Sequence, residues 1–224
     1  MASNPTQVSS SMAHYLGVLY RLGGDQGYVI SSAVAADAEV SAPAAARMFR
    51  RLEERGLVDR EPYKGVRLTA EGEREALREI RTHRLSEAFL VRVMGYGWHE
   101  AHDLADGLAE IGDDDFADRM EEKAGFPTRC PHGEPIPTRE GKIARLEDRP
   151  LTELENRDQG VISRVRIRDP ERLQYLASEG LVPETHFRVV AKAPFGGPIR
   201  LGLSRREVVL GAEIAERLYV ELAT

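Results

Sequence analysis

Between His83 and Glu110 the chain reads HRLSEAFLVRVMGYGWHEAHDLADGLAE, and the spacing of its ionisable residues restricts what it can fold into. His83 and Glu87 stand four residues apart, and His102, Asp106 and Glu110 repeat that interval beyond a turn-forming Gly95-Tyr96-Gly97. Side chains at i and i+4 stack on one face of a helix. The segment therefore reads as two helices, the first presenting a His/Glu pair and the second a His/Asp/Glu stripe. Two such helices, antiparallel and facing, can enclose a divalent cation, since imidazole suits Zn, Mn, Fe, Co and Ni and carboxylate suits Mg, Ca and Mn. Solvated helix faces carry the same residue types, and one His-x3-Glu pair alone would mean no more than that. Two stripes on consecutive helices favour a site.

With 224 residues and 42% hydrophobic content the chain can bury a real core as one large domain or a few small ones. A net charge of −6 argues against indiscriminate coating of nucleic acid but leaves room for a local basic face. A single Cys excludes an intrachain disulfide framework and fits a reducing compartment. No apolar run approaches the roughly 18 residues of a membrane helix, and MASNPTQVSSS resembles no export signal. The chain is expected in the cytoplasm, away from membranes.

After a polar, disordered start over residues 1–9, Ser10 or Ser11 caps a helix running to about Leu22, with Met12, Leu16, Leu19 and Tyr20 on its apolar face. A second helix spans about Ser31 to Ala38, capped by Ser31 or Ser32. Ser41 caps a third, AAARMFRRLEERG, with Pro43 at a position that the first helical turn tolerates. Leu57-Val58 and Val66-Arg67-Leu68 form two short strands around a Tyr63-Lys64-Gly65 turn, and Thr69 opens a long helix to about Met94. Three helices, a two-stranded wing and a further helix make a winged helix-turn-helix. Its third helix, which would enter the major groove, carries Arg47, Arg50, Arg51 and Arg55. Arginine reaches phosphates or guanine edges, and Lys64 and Arg67 on the wing add candidate backbone contacts. The same arginines could instead be solubilising charges paired with Glu53 and Glu54.

A fifth helix is read from about Trp98 to Ile111 and a sixth from the Asp113–Asp115 run to Gly125. RCPHGEPIPTREG is then a loop, in which Cys130 and His132 form a weak metal signal on their own. VISRVRI alternates like a strand and Asp169 to Glu179 reads as a short helix. FRVVAKA, PIRLGL and Val208-Val209-Leu210 read as strands, and Gly211 to Leu222 as a closing helix. The fold class is mainly α with a small β part: a winged helix-turn-helix over 1–72, a helical domain over 73–140, a linker over 141–155 and a small β-barrel over 156–224.

These stretches resemble the DtxR/MntR family of metal-dependent transcriptional repressors over essentially the whole chain. MAHYLGVLYRL is similar to the family's first helix and SAPAAARMFRRLEERGLV to its recognition helix. THRLSEAFL with HEAHDLADGLAE resembles its metal-binding and dimerisation helices, and CPHGEPIPT the loop that leaves them. The C-terminal part, with ASEGLVPETHFRVV, resembles an FeoA-type SH3-like barrel. The resemblance implies a homodimer that binds Mn(II) or Fe(II); ligands rich in carboxylate and imidazole, with at most one thiolate, put Mn(II) first and Fe(II) next, with other divalent transition metals binding in vitro. It would then bind double-stranded, palindromic operator DNA and repress metal-uptake genes. It also implies roles for residues. One site would use His14, Asp106 and Glu110, with Ala109 where the family usually has a carboxylate and Glu110 where it usually has His. A second would draw on His83, Glu87 and His102, with Cys130 and His132 and an acid from the barrel, Asp169 or Glu171. Ser41, Pro43 and Arg47 would meet bases. A winged-helix regulator with a non-metal effector is the alternative. A metalloenzyme is disfavoured by the lack of HExxH, a nucleophile elbow or a phosphate-cradling glycine loop.

Overall fold

The computed structural model describes residues 8–223, so the expected disorder of the N-terminal tail falls, for 1–7, outside the described residues. The described residues form two compact units, one of 8–83, 106–119 and 137–143, the other of 84–105, 120–136 and 144–223.

In the first unit, α1 (Ser10–Arg21), α2 (Ser31–Asp37) and α3 (Ala42–Glu54) are followed by β1 (Val58–Glu61) and β2 (Gly65–Leu68). The helix starts differ from expectation. Ser9 rather than Ser10 or Ser11 caps α1, its Oγ accepting from Met12 N–H at 3.3 Å, and Ile30 precedes α2 with no side-chain cap bond. Ser41 caps α3 as read, accepting from Ala44 N–H. The strands pair antiparallel with Val58 opposite Leu68 and Asp59 opposite Arg67. Gly65, at φ 116°, lets the wing close on the chain before α2, because a Cβ there would lie 2.0 Å from the Val29 carbonyl oxygen. Met12, Leu16, Leu19, Val34, Phe49, Leu52, Val66 and Leu68 form the core of this unit. Each such side chain contributes about 1.5–3 kcal/mol on burial.

α4 (Ala70–Arg92) is continuous, and its start is held by Thr69 Oγ1, which accepts from Gly72 N–H. α5 is shorter than expected, Ala101–Ala109 instead of Trp98 to Ile111, and α6 spans Asp114–Lys123 with Asp113 as its capping carboxylate.

The C-terminal part of the second unit is a six-stranded antiparallel sheet of β3 (Arg149–Pro150), β4 (Gln159–Val165), β5 (His186–Lys192), β6 (Ile199–Gly202), β7 (Glu207–Leu210) and β8 (Leu218–Leu222), ordered β3-β8-β4-β5-β6-β7. α7 (Pro170–Ser178) and α8 (Ala212–Ala215) complete it. The expected closing helix over Gly211 to Leu222 is corrected. Only four of its residues are helical, and β8 is an interior strand between β3 and β4. Leu218 and Val220 are buried and alternate with the outward Tyr219 and Glu221, a period of two that outweighs the helix-forming composition of GAEIAER. Leu151, Leu154, Ile162, Leu173, Leu181, Val189, Leu201 and Leu218 make its core. No helix among the described residues is long and apolar enough to cross a membrane.

Candidate metal centre and nucleic-acid interface

Glu87 lies on α4 and is 3% exposed, an unfavourable place for a carboxylate without compensating partners. Its Oε1 lies 3.0 Å from His102 Nδ1, on α5, and 3.3 Å from His132 Nδ1. Glu87, Cys130 and His132 each bring a ligand atom within 4.8 Å of the others, and all three are buried. The other ring nitrogen of His132, Nε2, faces the Trp98 carbonyl at 3.0 Å. A carbonyl only accepts, so Nε2 carries a hydrogen, and Nδ1 faces the Glu87 carboxylate, to which it donates only when the ring also carries its second proton. With the rings neutral and the thiol deprotonated, a cation held between the carboxylate, the imidazole nitrogens and the Cys130 sulfur would satisfy them together. Burial pushes the Cys130 thiol well above its usual range, the Glu87 carboxylate adds to this, and Arg84 opposes it. Such a thiol becomes a thiolate only against a cation. A carboxylate, imidazoles and one sulfur fit a transition-metal ion, and Glu87, His102, Cys130 and His132 would hold it.

The loop that carries two of these groups is built rigidly. Cys130 N–H donates to the Glu134 carbonyl, Gly133 N–H to the Cys130 carbonyl, and Val165 N–H, on β4, to the His132 carbonyl, each at 2.9 Å. Gly133, at φ 86°, packs so closely on β4 that a Cβ would lie 2.1 Å from the Ser163 carbonyl oxygen. Glu134 anchors the loop's far end by ion pairs to Arg84 at 3.2 Å, Arg164 at 3.2 Å and Arg166 at 3.1 Å. Arg164 is further held by the buried Asp148. Burial alone would raise the Glu134 carboxyl, but Arg84, Arg164 and Arg166 outweigh it and hold it below the usual carboxylate range. Glu134 carries no motif spacing, and only the three cationic partners that folding brings together reveal it.

The other candidate ligands are placed differently. His14 on α1, with Asp106, Ala109 and Glu110 at the end of α5, lines a cavity of about 630 Å³ that also takes Glu75, Glu79 and Thr82 from α4. Among the described residues, no group of ligand atoms converging within 4.8 Å includes His14 or Glu110. His83 Nε2 lies 3.0 Å from Asp106 Oδ1. Asp169 and Glu171 are exposed and outside the Glu87–Cys130–His132 group. The Asp169 carboxylate caps α7, accepting from Arg172 N–H at 2.8 Å.

The candidate DNA face divides into two parts. Arg47, Arg50 and Arg51 are exposed on α3 and, among the described residues, make no ion pair, as do Ser41 and Pro43 at its exposed start. The wing cations are tied down: Lys64 to Glu61 at 2.6 Å, Arg67 to Asp59 at 2.9 Å and Arg60 to Glu53 at 3.1 Å. Arg67 also lies over the Tyr28 ring, 5.1 Å from its centroid.

Three family models match in succession: the iron dependent repressor N-terminal DNA binding domain over residues 7–66, the iron dependent repressor metal binding and dimerisation domain over 69–138, and the FeoA domain over 149–222. The diphtheria toxin repressor of Corynebacterium efficiens is 32% identical over 123 residues, about half of either chain (55% of this one, 54% of that one). The iron-dependent repressor IdeR of Mycobacterium leprae is 27% identical over 219 residues, covering 92% of this chain and 95% of its own. A manganese-dependent transcriptional repressor in complex with manganese superposes with a TM-score of 0.88 at 36% identity, over 95% of this chain and all of that one. ScaR with bound Zn2+ does so with a TM-score of 0.78 at 29% identity, over 94% and 98%. Three consecutive domain matches, full-length structural likeness and a buried carboxylate–imidazole–thiol cluster agree, and the chain belongs to the iron-dependent repressor (DtxR/MntR) family of metal-dependent transcriptional repressors.

Proposed function

We propose that this chain is a cytoplasmic homodimer that, loaded with Mn(II), binds a palindromic operator in double-stranded DNA and represses metal-uptake genes, with Fe(II) as the next effector. The buried convergence of Glu87, Cys130 and His132, with the half-buried His102 3.0 Å from Glu87, carries this reading, because carboxylate, imidazole and sulfur together are a donor set for a transition-metal ion. Other divalent transition metals would bind it in vitro, since affinity rises from Mn toward Cu and the sulfur favours softer ions. Selectivity in the cell then rests on geometry and supply. His14, Asp106 and Glu110, with His83, supply the donors of a second, more open site, in which Ala109 contributes none. DNA contact is assigned to Ser41, Pro43, Arg47, Arg50 and Arg51 on α3. Lys64 and Arg67 have secondary roles because carboxylates already hold them. The barrel acids Asp169 and Glu171 have no part in the cluster's donor set as folded. The exposed apolar side chains Val93, Met94, Leu104 and Phe126 in and around the helical segment fit a subunit interface.

The chain's one tryptophan provides the test. Trp98 stacks on His132, with ring centroids 5.3 Å apart and planes at 27°. Mn(II) titrated into the metal-free protein is expected to change Trp98 fluorescence saturably, and Glu87→Ala to abolish the change. A flat titration in the wild type, with no Mn(II) retained on dialysis, contradicts the reading.

A further inference from the structure

The tip of the wing carries a feature that its fold does not use. Tyr63 is fully exposed and has φ 66°, a left-handed conformation that favours glycine or asparagine. A large aromatic ring there buries nothing in the chain, while the backbone strain costs of order 1 kcal/mol. The wing's cations are also committed: Lys64 pairs with Glu61, Arg67 with Asp59, and Arg60 with Glu53 on α3. The wing therefore has little free positive charge to offer a phosphate, and what it presents outward is a neutral ring with one hydroxyl. The Arg60–Glu53 bond ties this hairpin to the end of α3, so the tip is continuous with the helix whose exposed Arg47, Arg50 and Arg51 make no ion pair among the described residues.

We propose that Tyr63 is a DNA-contacting residue. Its ring lies against the deoxyribose wall of the groove beside the one that α3 enters, and its hydroxyl donates to a backbone phosphate oxygen. The inference rests on the DNA-binding reading above. It assigns the wing a non-ionic contact that complements the ionic contacts of α3.

The test compares the wild type, Tyr63→Gly and Tyr63→Phe as full-length, Mn(II)-loaded protein on one operator fragment across a salt series. Glycine suits φ 66°, so Tyr63→Gly is expected to melt at or above the wild-type temperature while binding about tenfold more weakly. Because no cation is removed, the slope of log affinity against log salt should stay unchanged. Arg47→Ala, by contrast, should lower it by about one. Tyr63→Phe, keeping the ring, should lose about threefold, and hydroxyl-radical protection flanking the α3 footprint should fade in Tyr63→Gly alone. The proposal is overturned if Tyr63→Gly binds within twofold of the wild type. It is equally overturned if Tyr63→Gly melts several degrees lower, since Tyr63 would then be a packing residue. If the wild type itself fails to bind DNA with Mn(II), the repressor reading falls and this contact with it. Wild-type binding with an indifferent Tyr63 removes the contact alone.

Discussion

Glu134→Gln isolates the clamp that holds the Cys130–His132 loop. The glutamate sits among three guanidinium groups at 3.1 to 3.2 Å, with its own side chain 16% exposed and that of Arg84 11%. Removing one partner from a buried ion pair costs about 3–5 kcal/mol. Two features lower that figure here. Arg164 keeps the carboxylate of Asp148, at 2.8 and 2.9 Å, and the Arg166 side chain is 38% exposed. A loss of about 2–3 kcal/mol from the second unit follows. Urea unfolding followed by Trp98 fluorescence measures it, as a lower midpoint at unchanged slope. The pH dependence has a definite sign. The folded carboxyl lies below the usual value of 4.5, so its contribution is complete above that value and disappears as pH falls through the folded one. The gap between wild type and Glu134→Gln should therefore be constant near neutrality and close below about pH 4.5. A difference under about 0.5 kcal/mol at pH 7, or one that widens on acidification, would refute the reasoning.

Gly133→Ala should weaken Mn(II) binding at least tenfold, because the new Cβ meets the Ser163 carbonyl oxygen and displaces the ligand loop. Isothermal titration reads this, and unchanged affinity would show that the loop's position is immaterial. Cys130→Ser should lower Zn(II) affinity more than Mn(II) affinity, narrowing the gap between the metals, which competition with a chromophoric chelator measures. Arg47→Ala or Arg50→Ala should cost about 1–3 kcal/mol of operator binding, whereas Lys64→Ala and Arg67→Ala should change it less than about threefold because Glu61 and Asp59 already occupy those cations.

Much of this was legible in the sequence where local chemistry decides the outcome. Ser41 with Pro43 announced α3, and the i, i+4 interval of His83 and Glu87 announced α4. The family resemblance anticipated the three successive domains that the comparisons match. Non-local partners hid the rest. β8 reads as helix until β3 and β4 pair with it on either side. Trp98 reads as helical but stays outside α5, where its carbonyl meets His132. Glu53 and Asp59, the partners of Arg60 and Arg67, and the three arginines around Glu134 lie far enough along the chain or across strands that no helical spacing connects them.

The central claim is that metal gates DNA binding. Its most direct measurement is the affinity of the full-length chain for DNA from upstream of metal-uptake genes, by fluorescence anisotropy with saturating Mn(II) and again with chelator. A gated repressor should bind at least about tenfold more tightly with metal, the lower range of an allosteric coupling of a few kcal/mol. Glu87→Ala and Glu110→Ala should each be compared with the wild type, to show which donor set governs the switch. Equal affinity with Mn(II) and with chelator would contradict the account, leaving the buried cluster a structural feature and the chain a DNA-binding protein that does not sense metal.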